Sequence, residues 1–371
     1  FSAAPWLFFC VGYTQWNHPL ALQVASVAGV YGVSFLVLLG SVTLVRMWDR
    51  RSLKPAMTAA LLITCAMAYG WLRLAPESEG ESVRVAVLQG CIHPRDRLSE
   101  AEGGNLGRRY LDLCRQANQA KAELIVWTES AIPWPLEESD DLMEDVLRST
   151  WSSQAHHLVG APRPNTSQQG AYFNSALLVL PDGQVTGQYD KRRPLVFAET
   201  SVSVPGLCGS FRLHPSPARY ISGTHSPALS SPVGVAGVNI CSENFYPADV
   251  RRSVRHGAEF LINMSNDGWL AHDTPLRQHF LFNVLRAVEN GRDTVVANNV
   301  GVSALVDARG RISATTDIRV PACLVGEIQR HKTTTPYSHM GDIFAYLCML
   351  LSISLVPWKS TMNMRVTKKE K

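Results

Sequence analysis

The sequence predicts an α/β domain inserted between α-helices that cross a membrane. Three charge-free apolar runs lie towards the two ends of the chain, and short β-branched runs separated by helical patterns fill its middle. Turn signals between some of these runs indicate hairpins beside helical crossovers, a combination typical of a mixed sheet covered by helices. The 371 residues are 46% hydrophobic and 18% charged, and soluble globular proteins usually carry about 25% charged residues.

Composition excludes several classes of protein. The apolar content rules out disorder, collagen and coiled coil. The net charge of +4 is too small to indicate binding to nucleic acid, so we expect no nucleic-acid partner. The eight cysteines occur singly with no CxxC pair, and their spacing favours neither a disulfide scaffold nor a zinc site.

Two long apolar runs in the first part of the chain predict membrane spans, at about 20–45 and 55–73. A helix of about 20 residues crosses the ~30 Å hydrocarbon core of a bilayer. Buried helices of a large soluble protein are the alternative, but the length of both runs favours membrane spans. The uncharged, aromatic-rich stretch 1–17 resembles the end of a further hydrophobic segment.

A third apolar run predicts a carboxy-terminal membrane helix at 338–358, followed by a basic tail at 359–371. Basic residues also dominate the loop 46–54 between the first two runs. The positive-inside rule assigns both basic segments to the cytoplasm. We therefore expect membrane helices over 1–76 and a domain over 82–330 on the outer face, which is the periplasm in a bacterium with two membranes.

Short β-branched runs between 82 and 330 predict the strands of this domain. They lie at 83–89, 124–127, 156–161, 175–180, 233–240, 259–264, 294–299 and 323–328. Helical patterns at 106–121 and 275–292 and hairpin turn signals at 181–183 and 307–310 supply connections. A mixed sheet, or two stacked sheets, covered by helices would accommodate these connections. The stretch 200–231, rich in Pro, Ser and Gly, is expected to be a long loop or lid.

Three residues that can carry chemistry follow strand-like runs. Glu129 follows LIVWT, Lys191 follows QVTGQYD and Cys241 follows VGVAGVNI. Active sites of α/β sheets usually lie at the carboxyl ends of strands. Taken singly, the glutamate has the plainer role of a helix cap, the lysine that of a solvated loop residue, and the cysteine that of an inert core residue. Together, a carboxylate, an ammonium and a thiol supply the groups of an acyl-transfer site.

Four blocks around these positions resemble the signature of the nitrilase, or carbon–nitrogen hydrolase, superfamily. They are WTESAIPWP, YDKRRPLVFAE, NICSE and SNDGW. With the membrane helices and the PWLFFCVGYTQ and TPYSHMGD blocks, the chain is most similar to the apolipoprotein N-acyltransferase family over essentially its whole length. The resemblance implies a nitrilase-like α-β-β-α sandwich domain inserted between transmembrane α-helices, with further spanning helices upstream of Phe1.

The resemblance also implies a mechanism. Glu129 would be the general base, Lys191 the stabiliser of the oxyanion and Cys241 the nucleophile. The implied substrates are a phospholipid acyl donor and a diacylglyceryl-apolipoprotein acceptor, joined through a thioester on the cysteine. No metal or organic cofactor is called for, and the implied location is the bacterial inner membrane.

Four further positions match the family. Glu199 and Glu243 match acids that support the site. Glu243 lies two residues after Cys241, so strand alternation puts it on the same face as the thiol, where it can order the lysine or its loop. Trp269 and Trp6 match aromatic positions near the lipid entrance. The residue after the cysteine is a serine, whereas the family usually has an aromatic there.

Two other functions remain open at this point. A membrane-tethered nitrilase or amidase would use the same three residues to hydrolyse small amides. A transporter or a catalytically inactive scaffold is the second alternative. Transporters usually hold ionisable groups inside their spans, and no Asp, Glu, Lys, Arg or His occurs over 20–45 or 55–72.

Overall fold

A computed structural model describes most of the chain. The described residues are 10–48, 54–75, 80–92, 100–136, 140–195, 199, 202–203, 210–211, 219–224 and 228–355. The α-helices among them are α1 (Pro19–Leu22), α2 (Ala25–Trp48), α3 (Lys54–Arg73), α4 (Glu100–Gln119), α5 (Asp140–Thr150), α6 (Pro247–Arg255), α7 (Asp273–Asn290), α8 (Pro336–Met340) and α9 (Ile343–Leu355).

The strands of the domain match the β-branched runs of the sequence closely, with several short additions. In chain order they are β1 (Ser82–Gln89), β2 (Leu124–Trp127), β3 (His156–Pro164), β4 (Ala171–Val179), β5 (Val185–Asp190), β6 (Val202–Ser203), β7 (Ser210–Phe211), β8 (Arg219–Tyr220), β9 (Ala228–Ser231), β10 (Gly234–Ile240), β11 (Phe260–Ser265), β12 (Thr294–Asn298), β13 (Ala304–Val306), β14 (Ile312–Thr315) and β15 (Ala322–Gln329).

Two sheets of the same design form the centre of the domain. The first has the order β15-β1-β2-β3-β4-β5, with β8 beside β4, and the second has the order β14-β13-β12-β11-β10-β9. The central strands β1–β3 and β10–β12 run parallel, and the flanking pairs along each path are antiparallel. The turn signals at 181–183 and 307–310 lie in the hairpins β4–β5 and β13–β14, as predicted.

Alternation along the strands builds the layers. Val85 and Val87 of β1 share a buried cluster with Val238 of β10, so these faces of the two sheets pack together. The opposite face of β1, with Ala86 and Leu88, packs against α4 and α5. The helices α6 and α7 cover the outer face of the second sheet. The layers therefore follow the α-β-β-α order that the resemblance implies.

Two helices are long and apolar enough to cross a membrane by length and composition, at Ala25–Trp48 and Ala56–Arg73. Only 28% and 17% of the residues in their most apolar stretches are buried, whereas a core helix of a soluble protein is mostly buried. The predicted third span is divided, because α8 ends at Met340, before Gly341, and the apolar helix α9 has 13 residues. The predicted tail 359–371 lies outside the described residues.

The stretch 200–231, predicted as a long loop, is not wholly irregular. Its last residues form β9 at the edge of the second sheet, and β8 pairs with β4 in the first. Strands β6 and β7 pair with each other. Most of the rest of this stretch lies outside the described residues, so a lid remains a prediction.

Helix α2 is joined to the domain where the helix breaks. Gly29 has φ 63° and ψ −168°, a conformation that is essentially restricted to glycine, and a Cβ there would lie 2.5 Å from the ring of Tyr337. The break frees the backbone N–H of Val30, which donates to Glu289 Oε1 of α7 at 3.0 Å. Arg286 Nη2 donates to the same oxygen at 2.9 Å. A buried ion pair therefore holds the break against the domain.

Replacing Gly29 with alanine tests this junction. Gly29→Ala combines a forbidden backbone conformation with a clash against an aromatic ring, and should cost about 3 kcal/mol of stability. Thermal unfolding of the purified protein in detergent measures the loss. Gly40→Ala in the same helix is the control, because the nearest atom to its Cβ is 3.9 Å away. Equal unfolding temperatures for both variants would contradict this account of the break.

Candidate active site

The carboxyl ends of strands from both sheets meet at one buried site. Glu129 follows β2 and Lys191 follows β5 in the first sheet, whereas Cys241 follows β10 in the second. Their exposures are 6%, 1% and 5%, respectively. The plainer role of Lys191 as a solvated loop residue is therefore wrong. Because the first sheet supplies the glutamate and the lysine and the second supplies the cysteine, the site forms only when the two sheets pack together.

Lys191 lies between two carboxylates. Its Nζ is 3.0 Å from Glu129 Oε1 and 2.8 Å from Glu199 Oε2. Asn174 Nδ2 donates to both carboxylates, at 2.7 and 2.9 Å. Burial alone lowers the pKa of the Lys191 ammonium, but the two carboxylates raise it well above its usual value. The lysine therefore stays charged inside the protein.

Glu199 is fixed by its own turn as well as by the lysine. The backbone N–H of Leu195 donates to Glu199 Oε2 at 2.6 Å, and the N–H of Glu199 donates to the carbonyl of Leu195 at 2.8 Å. Burial raises the pKa of the Glu199 carboxyl, but Lys191 and the hydrogen bonds outweigh burial and lower it. Glu199 is therefore the second anion that balances the buried ammonium.

The second oxygen of Glu129 is held from the other sheet. The backbone N–H of Asn266, just after β11, donates to Glu129 Oε2 at 2.8 Å. Behind Glu129, a Cβ on Gly160 would lie 2.1 Å from the carbonyl oxygen of Thr128 and 3.0 Å from the Cα of Glu129. Only glycine therefore lets β3 pass beneath the loop that carries the glutamate.

Cys241 stands on a sharp turn between a strand and a helix. It has φ 55°, in the left-handed region that favours glycine, and it begins the 3-10 helix Cys241–Phe245. Asn263 Nδ2 donates to the carbonyl of Cys241 at 3.1 Å and fixes the turn. Burial and the charge of Glu129 raise the pKa of the thiol well above its usual value, although Lys191 acts against them. The resting group is therefore a neutral thiol that needs a base.

Glu243 connects the turn of the cysteine to the loop of the lysine. Its carboxylate accepts hydrogen bonds from the N–H of Ile240 at 2.8 Å and from the hydroxyl of Tyr189 at 2.9 Å. It also accepts from the two backbone N–H groups that follow Lys191, at 2.7 and 3.1 Å. The expected strand alternation is wrong, because the chain forms a 3-10 helix after β10. Cross-sheet hydrogen bonds, and not a shared strand face, bring Glu243 to the lysine loop.

A cavity of about 590 Å³ opens beside Cys241 and is lined mainly by apolar side chains. Trp269, 46% exposed, lines it together with Phe245 and Phe282. The segment near the amino terminus contributes Trp16 and several of its neighbours. Trp6 lies outside the described residues, so its match to the lipid entrance remains a prediction.

Residues 84–335 match the family model "Carbon-nitrogen hydrolase". An apolipoprotein N-acyltransferase of Geobacter metallireducens is 30% identical over 355 residues, covering 93% of this chain and 68% of the relative. The chain belongs to the apolipoprotein N-acyltransferase family. A second member, from Allorhizobium ampelinum, is 29% identical and shares 83% of this chain and 60% of its own length. The chain thus spans only about two thirds of these relatives.

Solved structures support the fold of this apolipoprotein N-acyltransferase family member. The NitFhit protein of C. elegans has a TM-score of 0.54 at 20% identity, covering 75% of this chain and 66% of that protein. An amidase from Nesterenkonia sp. has a TM-score of 0.52 at 18% identity, covering 74% and 98%. The predicted family and the nitrilase-like sandwich fold are confirmed.

Sequence reasoning missed three polar residues at the site of this family member. Asn174 lies inside β4, where nothing in the local pattern sets it apart. Asp267 belongs to the SNDGW block but was given no role. His279 lies in the middle of α7, and its Nδ1 is 2.8 Å from Asp267 Oδ2. A ring nitrogen of His279, an oxygen of Asp267 and the sulfur of Cys241 all lie within 4.8 Å of one another.

Glu243→Gln tests the connection between the turn that carries Cys241 and the loop that carries Lys191. The amide keeps the size of the side chain but turns an NH₂ towards backbone N–H donors, so buried donors lose their acceptor. The loss of stability should be about 2 kcal/mol, measured by thermal unfolding in detergent. Glu144→Gln on α5 is the control, because that glutamate is exposed and pairs with Arg148 at the surface. A similar small shift for both variants would contradict the role of Glu243.

Proposed function

We propose that the complete protein moves an acyl chain from a membrane glycerophospholipid, through a thioester on Cys241, to the α-amine of the diacylglyceryl-cysteine of an apolipoprotein. Membership of the apolipoprotein N-acyltransferase family supports this reaction. The observation that carries it for this chain is the cavity beside the thiol. Its apolar lining suits a hydrocarbon chain better than a small polar amide.

The first half of the reaction forms the thioester. Glu129 takes the thiol proton, and the sulfur of Cys241 attacks the ester carbonyl of the phospholipid. The C–S bond forms, the C–O bond breaks, and Glu129 returns its proton to the departing oxygen of the lysophospholipid. Lys191 stabilises the negative oxygen of the tetrahedral intermediate, a contribution typically worth about 3 kcal/mol.

The second half transfers the chain to the acceptor. The amine of the diacylglyceryl-cysteine attacks the thioester carbonyl, the C–N bond forms and the C–S bond breaks. The thiolate that leaves is protonated and the enzyme returns to its starting state. Water must be kept out during this step, because hydrolysis of the thioester would turn the enzyme into a lipase. The apolar lining of the cavity supports that exclusion.

Hydrolysis of small amides is the alternative function. The amidase of Nesterenkonia sp. shares the fold at 18% identity, and likeness at that level supports the fold alone. A tethered amidase would have no use for an apolar cavity that adjoins the segment leading into the amino-terminal helices. It would also keep its activity when the domain is separated from those helices.

Thioester trapping tests the proposed reaction. Phospholipid carrying a labelled sn-1 chain should leave label on the full-length protein, and hydroxylamine should remove it, because thioesters are cleaved by this reagent. Cys241→Ser should carry no hydroxylamine-labile label. The control is Cys323→Ala, which replaces a half-buried free cysteine of β15 outside the cavity and should label like the parent. Equal labile labelling of the parent and Cys241→Ser would contradict the proposal.

We further propose that α2 and α3 cross the inner membrane, that α9 belongs to a third span, and that the domain over 82–330 is periplasmic. The apolar, exposed surfaces of α2 and α3 and the basic loop between them support this arrangement.

Cysteine labelling tests the orientation. Ser167→Cys is exposed in the turn between β3 and β4, and should react with a membrane-impermeant maleimide in cells whose outer membrane alone is permeabilised. Ser52→Cys, in the predicted cytoplasmic loop, should react only after the inner membrane is broken. The unsubstituted protein supplies the background. The reverse pattern of labelling would overturn the periplasmic assignment.

A further inference from the structure

A histidine and an aspartate occupy the cavity side of the nucleophile. His279 and Asp267 line the cavity together with Cys241. Glu129 and Lys191 are not among the residues that line it in the described part of the chain. His279 is 8% exposed and Asp267 is 1% exposed. The imidazole therefore forms part of the cavity wall beside the sulfur.

Hydrogen bonds fix the tautomer of His279. Its Nδ1 is 2.9 and 2.8 Å from the two oxygens of Asp267, so this nitrogen carries a proton and donates it. Asn298 Nδ2 donates to Asp267 Oδ2 at 2.6 Å and holds the carboxylate in place. In the neutral imidazole, Nε2 is consequently the acceptor.

That acceptor is the unexplained group at the site. Nε2 of His279 is buried and makes no hydrogen bond of normal geometry with the described residues, and the backbone of Cys241 beside the ring adds to Asp267 in raising the pKa of His279. A buried polar atom without a partner lowers the stability of a protein. A function that needs a free acceptor next to the sulfur would account for keeping it.

A metal ion is a weaker explanation for the same groups. Cysteine, aspartate and histidine are zinc ligands by chemistry, and their donor atoms are close together here. However, the carboxylate of Asp267 is already bonded to His279 and to Asn298. That leaves the sulfur and one ring nitrogen, fewer than the three protein ligands of a typical catalytic zinc site. The arrangement favours proton transfer.

In the second half of the proposed reaction a proton must leave the acceptor before it can attack, and Glu129 is not needed to take this proton. The α-amino group of a peptide has a pKa of about 7.7–8.0 and arrives largely as an ammonium, which has no lone pair for attack. We propose that His279, held by Asp267, is the base that removes this proton from the incoming diacylglyceryl-cysteine. The inference rests on the proposed acyl transfer.

The step balances in atoms and charge. The ammonium gives one proton to His279 Nε2 and becomes a neutral amine. The amine nitrogen attacks the thioester carbonyl, and its second surplus proton passes through Glu129 to the sulfur as the C–S bond breaks. The products are the amide, the thiol of Cys241 and a protonated His279, which releases its proton to water before the next cycle.

The surroundings of His279 suit this role. The titratable groups that face it are Asp267 after β11, Cys241 after β10 and Glu129 after β2, with Lys191 beyond Glu129. Burial lowers the pKa of His279, but Asp267 outweighs burial and raises it above its ordinary value of 6.5. This brings the base closer to the pKa of the amine, where proton transfer between them is most efficient.

Measuring the two half-reactions separately tests the inference. The full-length His279→Gln protein, given vesicles of phospholipid with a labelled chain, should form the thioester at close to the parent rate. When a diacylglyceryl-cysteine peptide is then added, transfer should be slower by about 100-fold or more, and the thioester should accumulate. The defect should shrink above about pH 8, because the amine is then already neutral.

Asp267→Asn and His331→Gln complete the experiment. Asp267→Asn keeps a polar group beside Nδ1 but removes the charge, so it should slow transfer by about tenfold with the same relief at high pH. His331 makes a similar pair with Asp293 at 2.8 Å, away from the cavity, so His331→Gln should leave both half-reactions unchanged. Unfolding temperatures identify any variant that fails to fold.

The outcomes separate this inference from the proposed function. A parent protein that forms no thioester contradicts the acyl transfer itself. A parent that transfers normally, with His279→Gln slowed equally in both halves or in neither, overturns the role of the histidine. If His279→Gln does not fold, transfer at the parent rate by Asp267→Asn overturns it instead.

Discussion

The buried ammonium of Lys191 is the constraint on which the rest of the site depends. A charge removed from water is costly, and it is tolerated only with close countercharges and saturated hydrogen bonds. Glu129 and Glu199 supply the charges at 3.0 and 2.8 Å, and Asn174 ties the two carboxylates to each other. Loss of either acid would leave part of a buried charge uncompensated, so the cluster is held as a unit. Glu129, the base of the proposed reaction, is thereby held by the same contacts that allow the ammonium to be buried.

The two sheets are joined at the site by polar contacts as well as by the apolar core. The N–H of Asn266 in the second sheet holds Glu129 of the first, and Glu243 after β10 accepts from the backbone that follows Lys191. These bonds cross the sandwich, so the spacing between sulfur and carboxylate depends on how the sheets are packed. A core substitution that shifts one sheet against the other should therefore affect chemistry before it affects the fold.

Local sequence predicted the strands well and the contacts between them less well. The run LIVW matches β2 residue for residue, because apolar and β-branched composition is a local property. Glu243 reaches the lysine loop through hydrogen bonds across the sandwich and not through strand alternation, since a left-handed φ at Cys241 ends the strand. His279 and Asn174 gave no signal, because their partners lie on other elements and only the assembled sandwich brings them together. The uninterrupted apolar run gives no signal for the break at Gly29 either. The groups that contact the break, the ring of Tyr337 and the carboxylate of Glu289, come from remote parts of the chain.

The hydrogen bond from the backbone N–H of Val30 to the carboxylate of Glu289 fixes the position of α2 relative to the domain. A helix in a fluid bilayer tilts and rotates, and an enzyme resting on such a helix by apolar contact alone would rise and sink with it. Here α2 is clamped at its break to α7, the same helix that carries His279. With α2 embedded as proposed, the height of the sulfur above the lipid is set by the protein. In the proposed reaction, only an ester bond at that depth reaches Cys241, so the fixed height would select among the ester bonds of a phospholipid.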